Sequence, residues 1–364
     1  MRTPTRLLCG LWLGLFALQP FASVEEATSP MTYSQSAEII RHTYESQLFS
    51  LNPYHEGHYG LRMLRQTQNQ QRYRTAVWSD ITRVADRLNQ FADEVNTPEQ
   101  VLLYSQTRLA QYRDDEGERS QRRYNVTKNV PEYLYLGMDL LSALARADEY
   151  GLKHRQDTLL RNTLRRYDFS KYVTSKPMIE AWGPQLANQV YWLRHLGEQD
   201  IVDDFVNTLR ATYPDEQDSA LTAQQYANKL DAMTHLIVAD SGHFQTSVKE
   251  SDHQWIYDYF RRHIDTILLR AKEDVIAEVG ISFLLAGLND DPVVETTRKA
   301  IQKSIDADNG MIPSSTGDLD LNKGENRNVL AILLLDWQGV HQIPTLKQSP
   351  KVFDQLPYGL QAKS

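Results

Sequence analysis

Along this chain, stretches that are apolar on nearly every side alternate with stretches that carry a single apolar stripe. The first kind occurs at residues 132–144 (EYLYLGMDLLSAL), 186–197 (LANQVYWLRHLG), 226–240 (YANKLDAMTHLIVAD), 276–288 (IAEVGISFLLAGL) and 326–337 (NRNVLAILLLDW), with a weaker copy at 55–64 (HEGHYGLRML). Striped stretches lie between them, for example Val77, Ile81, Val84, Leu88, Phe91 and Val95, or Ile256, Phe260, His263 and Ile267. A helix that is apolar all round must be buried, and a helix with one stripe lies outside. One polar residue opens each apolar copy: His58, Glu132, Asn188, Asn228, Glu278 and Asn328 stand in register, the last three fifty residues apart. The pattern predicts an all-α fold, an α/α toroid of about six or seven helical hairpins in a closed or incomplete ring. An open solenoid is the competing arrangement, but it expects helices of even amphipathicity.

Local signals place the ends. Thr32 with Gln35 reads as a capping box, Thr97-Pro98 with Gln100 as a second helix start, and Asp291-Pro292 as a third. Outer helices are expected to start near Lys153, Glu198, Ser251 and Pro292, giving about thirteen helices and no strand. Residues 113–130 read as a polar connection, Trp182-Gly183-Pro184 as a loop leading into an inner helix, and 338–364 as an irregular tail. The domain itself is expected to run from 24 to 337.

The first 23 residues read as a secretory signal peptide. Arg2 and Arg6 precede the apolar run 7–18 (LLCGLWLGLFAL), which Pro20 ends and which is too short to span a bilayer. The expected destination is the periplasm or the exterior, with no membrane span after cleavage; Cys9 would leave with the signal. Formal net charge is −8 and no basic stripe is present, which argues against nucleic acid as partner. Oligomeric state is not legible.

Inner helices running in one direction would bring their N-termini, with free N–H groups and partial positive charge, to one mouth. Glu56, Asp231, Glu278 and Glu325 are the candidate catalytic carboxyls there, with His55, His58 and Tyr226 as candidate bases. Trp182, Glu180, Asn228, Asn326, Arg327 and Asn328 are candidate substrate contacts. Aromatics, amides and carboxyls around a funnel suit an oligo- or polysaccharide, with a carboxyl pair acting as acid and base or nucleophile. Asn188, Asn228 and Asn328 also read as hydrogen-bonded groups closing neighbouring helices, and Trp182 as a core plug. Asp231 and Glu278 sit in otherwise apolar helices, so each must find a cationic partner or face a cavity. His55 and His58 lack a third ligand, and 318–322 (DLDLN) departs from a calcium loop at its glycine and its last acid, so no metal or cofactor is expected.

The leader, 55–64 (HEGHYGLRML), 180–188 (EAWGPQLAN) and 324–337 (GENRNVLAILLLDW) together resemble an uncharacterised family of exported gammaproteobacterial proteins, domain of unknown function 3541. That resemblance implies no activity. The helical repeat is similar to that of α/α toroid proteins, among them glycoside hydrolases, polysaccharide lyases and terpenoid-type cyclases. The cyclases' Asp-rich signatures are missing, and no hydrolase or lyase signature matches residue by residue. The expectation is an exported carbohydrate-active enzyme, hydrolase-like or lyase-like. The alternative is a non-catalytic envelope module that binds glycan, peptidoglycan or a protein.

Overall fold

A computed structural model describes residues 31–363 except 343, 344, 350, 352 and 354; the expected signal peptide lies outside the described residues. The described chain is all-α. Its helices are α1 Tyr33–Ser46, α2 Pro53–Thr67, α3 Gln70–Glu94, α4 Pro98–Arg113 and α5 Glu118–Thr127. Then come α6, whose Leu134–Leu141 portion is a π-helix running into Ser142–Glu149, α7 Asp157–Arg165 and the single turn α8 Ser170–Val173. The series ends with α9 Lys176–His195, α10 Val202–Thr212, α11 Ala223–Asp240, α12 Gln254–Arg270, α13 Glu273–Leu285, α14 Pro292–Lys303 and α15 Leu321–Leu335. Both capping boxes form, on Thr32 and on Thr97, and Asp291 caps α14.

Neighbours in space follow the alternation. Helix α9 packs on α11, α11 on α13, α13 on α15, and α15 on α2; α3 bridges α2 and α6, and α6 meets α9. Apart from the striped α3, these are the all-apolar helices: α13 is buried at every residue from Val275 to Leu285, and α15 from Asn328 to Leu335. The striped helices α10, α12 and α14 bury one face each, against α9, α13 and α13 with α15 respectively. Glycines set the closest approach. A Cβ on Gly60 would lie 2.1 Å from Ala76 Cβ, and one on Gly57 2.7 Å from Asp80 Cβ, so α2 and α3 touch backbone to backbone.

Five expectations change. The striped α3, expected outside, stands between α2 and α6, and the burial of Arg83 and Arg87 on it is offset by Asp80 and Asp139. The connection 113–130 contains α5, whose Arg123 bonds the Ala181 carbonyl and Gln185 on α9. The Trp182-Gly183-Pro184 stretch is not a loop but a kink inside α9, with Trp182 at φ −132°. Pro184 withholds one helical N–H, and the buried Trp182 anchors the bend. The tail is partly ordered: β1 (Leu152–His154) pairs antiparallel with β2 (Leu360–Ala362), and Phe353 and Leu360 are buried. Short strands of three residues leave no alternating pattern to read. The chain also has more helices than the thirteen expected, because π-to-α and single-turn segments carry no periodicity of their own.

Candidate functional site

A cavity of about 390 Å³, within the size range of small-ligand sites, lies where α2, α3, α6, α9, α11, α13 and α15 converge. Its shape follows from α2. Tyr54, His58 and Arg62 are four residues apart, so they stack on one face of that helix and point the same way. Tyr54, half-exposed, marks the mouth, along with Asn326 on α15. Two turns further in, Arg62 is 7% exposed. The floor is made by Glu149 at the end of α6 and by the turn after α11, where Gly242, His243 and Phe244 all have positive φ. Two consecutive non-glycine residues in that region are rare and store strain. Arg62 and Arg65 hold the turn by donating to the His243 carbonyl, and the His243 ring stacks on Trp192 of α9, centroids 6.0 Å apart.

One wall is cationic. Arg83, Arg87 and Arg146 line it from α3 and α6, and each has a carboxylate behind it. Asp80 takes Arg83 at 2.8 Å, Asp139 takes Arg87, and Glu149 takes Arg146 at 2.9 Å and Arg65 at 3.1 Å. Burial would raise the Glu149 carboxyl, yet Arg146, Arg65 and Arg62 hold it below the usual range. His243 is kept neutral by burial and by the same arginines.

Other lining residues carry groups able to exchange protons. Nδ1 of His58 lies 2.8 and 3.0 Å from the two carboxylate oxygens of Glu325, which is 1% exposed. A buried carboxylate that binds one ring nitrogen fixes the imidazole's orientation and leaves Nε2 as the working atom. Glu278 of α13 accepts from the Thr234 hydroxyl at 2.6 Å, with His235 Nε2 at 3.8 Å. Burial, reinforced by Asp274, pushes the Glu278 carboxyl up to about 7, against the pull of Thr234 and Arg62. Burial and then the charge of Glu278 push Asp231 up to about 7 as well. Asn188 donates to His235 Nδ1 at 2.9 Å. Among the described residues, its Oδ1 and the Trp192 indole N–H find no partner.

Of the sequence-predicted residues, His58, Glu278 and Asn326 line this cavity, and Glu325 stands directly behind His58. The others are elsewhere. His55 ties the start of α2 to Asn52 and Asn322. Glu56 is on a different face of α2 and is not a lining residue. Asp231 pairs with Arg119 of α5 at 3.3 Å, behind Glu278. Tyr226 is buried between helices, with the Arg270 guanidinium 3.9 Å above its ring and Tyr259 at its hydroxyl. Trp182 is sealed among Tyr112 and Tyr133, covered by Arg123, and bonded to Thr127. Asn228 bonds the Ile179 carbonyl and Tyr213, and Asn328 holds Ile312 through both its backbone groups, so these two amides close neighbouring segments. Glu180 and Arg327 do not reach the cavity either. For Glu180, Trp182, Tyr226, Asn228 and Asp231 the reason is shared: on α9 and α11 the lining residues sit mid-helix or later, at Gln185–Trp192 and at His235 and Val238, rather than in the first turns.

Tyr54, Arg62, Arg83, Arg87, Arg146, Glu149 and Trp192 are among the lining residues that sequence reasoning missed. Arg62 had a signal, since a cation inside GLRML is as costly to bury as Glu278 inside IAEVGI. Among the described residues, no three His, Cys, Asp or Glu side chains gather as a metal site, and no helix is long and apolar enough to cross a membrane.

No curated protein and no solved structure matches this chain. The family described as Domain of unknown function (DUF3541) matches residues 33–363, from the first helix through the terminal strand, so the chain belongs to that family.

Proposed function

We propose that this chain is an exported carbohydrate-active enzyme working in the central cavity. His58, oriented by Glu325, is the general base, and Glu278, protonated near neutrality, is the general acid. The observation that carries the reading is that base and acid line one cavity from helices far apart in sequence, each adjusted for proton transfer by its neighbours. Tyr54 and Trp192 supply aromatic faces and Asn188 and Asn326 supply amides, the mix a sugar ring needs.

The helix order supports an α/α toroid as the frame. From α6 through α9, α11, α13 and α15 the all-apolar helices neighbour one another in chain order, α15 returns to α2, and the striped α3 joins α2 to α6, so the series closes on itself. The leader-like first 23 residues favour the periplasm.

The test is a thermal-shift panel of neutral and acidic oligosaccharides on the protein, followed by product analysis on any that stabilise it. A melting-temperature rise with new saccharide products supports the enzyme. A rise with no product on prolonged incubation makes the chain a glycan-binding module, and no rise across the panel contradicts the carbohydrate reading.

A further inference from the structure

Among the described residues, Arg62 is the one guanidinium lining the cavity that no carboxylate holds within ion-pair distance. One N–H donates to the His243 carbonyl at 3.2 Å, an oxygen already shared with Arg65. The Phe244 ring covers one face at 4.7 Å. Burial, with repulsion from Arg65 and Arg146, pulls the group down to about 9, the signature of a cation short of counter-charge. A buried, undercompensated guanidinium that opens on a cavity is built for a planar oxyanion.

We propose that a carboxylate of a uronic-acid-containing saccharide seats on Arg62, and that the reaction above it is β-elimination. The substrate class rests on the carbohydrate reading; the anion site does not. Arg62 lies one helical turn below His58 on the same face, so a carboxylate on Arg62 presents its α-carbon, C5 of the uronate, toward the imidazole. Pairing with Arg62 neutralises the carboxylate and stabilises the charge that develops when C5 loses its proton. His58 Nε2 takes that proton. The C5–H pair becomes the C4=C5 bond, the C4–O bond breaks with its electrons on oxygen, and the Glu278 carboxyl protonates that oxygen. The products are an unsaturated uronate end and a saccharide with a free hydroxyl. His58 is left protonated and Glu278 ionised, and both reset by exchange with solvent; no water, oxidant or reductant is consumed. Hydrolysis by two carboxyls fits less well, because Glu149, Glu325 and Asp231 are each already engaged, by Arg65 and Arg146, by His58 and by Arg119.

Calorimetric titration separates the possibilities, using oligouronate tetrasaccharides, their carboxyl-reduced neutral counterparts, and a simple dicarboxylate such as glutarate. Each is run on the wild-type protein, Arg62→Met and Arg62→Lys. The expected result is that at least one oligouronate binds roughly 10- to 100-fold more tightly than its reduced form. Arg62→Met abolishes that preference, and the melting temperature of the free variant checks that the fold survives loss of the bond to the His243 carbonyl. Arg62→Lys keeps the charge but loses the fork, and retains part of the preference, which preserves the test should the Met variant not fold. Wild-type turnover of the bound oligouronate should raise ultraviolet absorbance from the conjugated C4=C5 bond. Equal binding of acidic and reduced forms, or a preference that survives Arg62→Met, overturns the anion site and leaves the carbohydrate reading standing. Arg62-dependent binding of glutarate with no saccharide bound keeps the anion site and overturns the uronate. Binding of none of these ligands overturns both, and oligouronate binding without absorbance overturns the elimination step.

Discussion

At the scale of single residues, the cavity is governed by how burial is offset. Glu278 faces Thr234 and His235 of α11, Asp274 of its own helix and Arg62 of α2, and its carboxyl is raised from 4.5 to about 7. Folding therefore favours its protonated form. That contribution is fully present below the ordinary value and is lost as pH rises through about 7. Asp231 acts in the same direction. We expect wild-type melting temperature to decline between pH 5 and pH 8, with Glu278→Gln flattening part of the slope and the double change with Asp231→Asn flattening most of it. The shift at Glu278 corresponds to roughly 2–3 kcal/mol, and melting curves across that pH range read it directly. Glu278→Gln should also lose turnover while keeping the fold. Buried His243 and His235, whose ring protonation is disfavoured, slope the other way, so a wild-type profile that neither substitution changes would mean the two carboxyls are ordinary. These two acids were legible in the sequence, because a carboxyl inside an apolar helix demands a reason. Tyr226 and Trp182 were not, since a sequence cannot tell an aromatic facing a funnel from one sealed under Arg270 or against Thr127.

At the scale of elements, spacing and caps carried most of what could be read in advance. Thr32, Thr97 and Asp291 start their helices where their side chains accept from the first turn, and α13 and α15 are buried all round as their composition demands. What escaped is geometry without a period: the π segment of α6, the kink at Trp182 and the three-residue strands. The π segment sets Gly137 into the cavity wall, where a Cβ would come within 2.9 Å of Gln189 and Tyr133. Gly60→Ala forces α2 from α3 at its tightest contact, and urea unfolding should show a loss of about 1–3 kcal/mol. A variant ending at residue 337 removes Phe353, Leu360 and the strand pair. It should melt measurably below the full chain, and an unchanged melting temperature would show that this docking adds no stability.

At the scale of the whole described chain, the alternation of all-apolar and striped stretches anticipated that α9, α11, α13 and α15 neighbour one another, but not that the striped α3 stands among them between α2 and α6. It did not anticipate that the arginines of α2, α3 and α6 gather on one wall. Only Arg62, inside an apolar stretch, carries a sequence signal, and only packing brings it together with Arg83, Arg87 and Arg146. The cavity takes Tyr54 and His58 from the first turns of α2 and Asn326 from the second turn of α15, whereas α9 and α11 contribute from deeper turns. The central claim is that His58, held by Glu325 on the cavity wall, moves a proton in turnover. The most direct measurement is the rate of product formation by His58→Gln beside the wild type, on whichever saccharide stabilises the folded chain. A fall of about 100-fold or more, with ligand still raising the melting temperature of the variant, is the predicted result. Unchanged turnover in a folded His58→Gln protein would contradict the account.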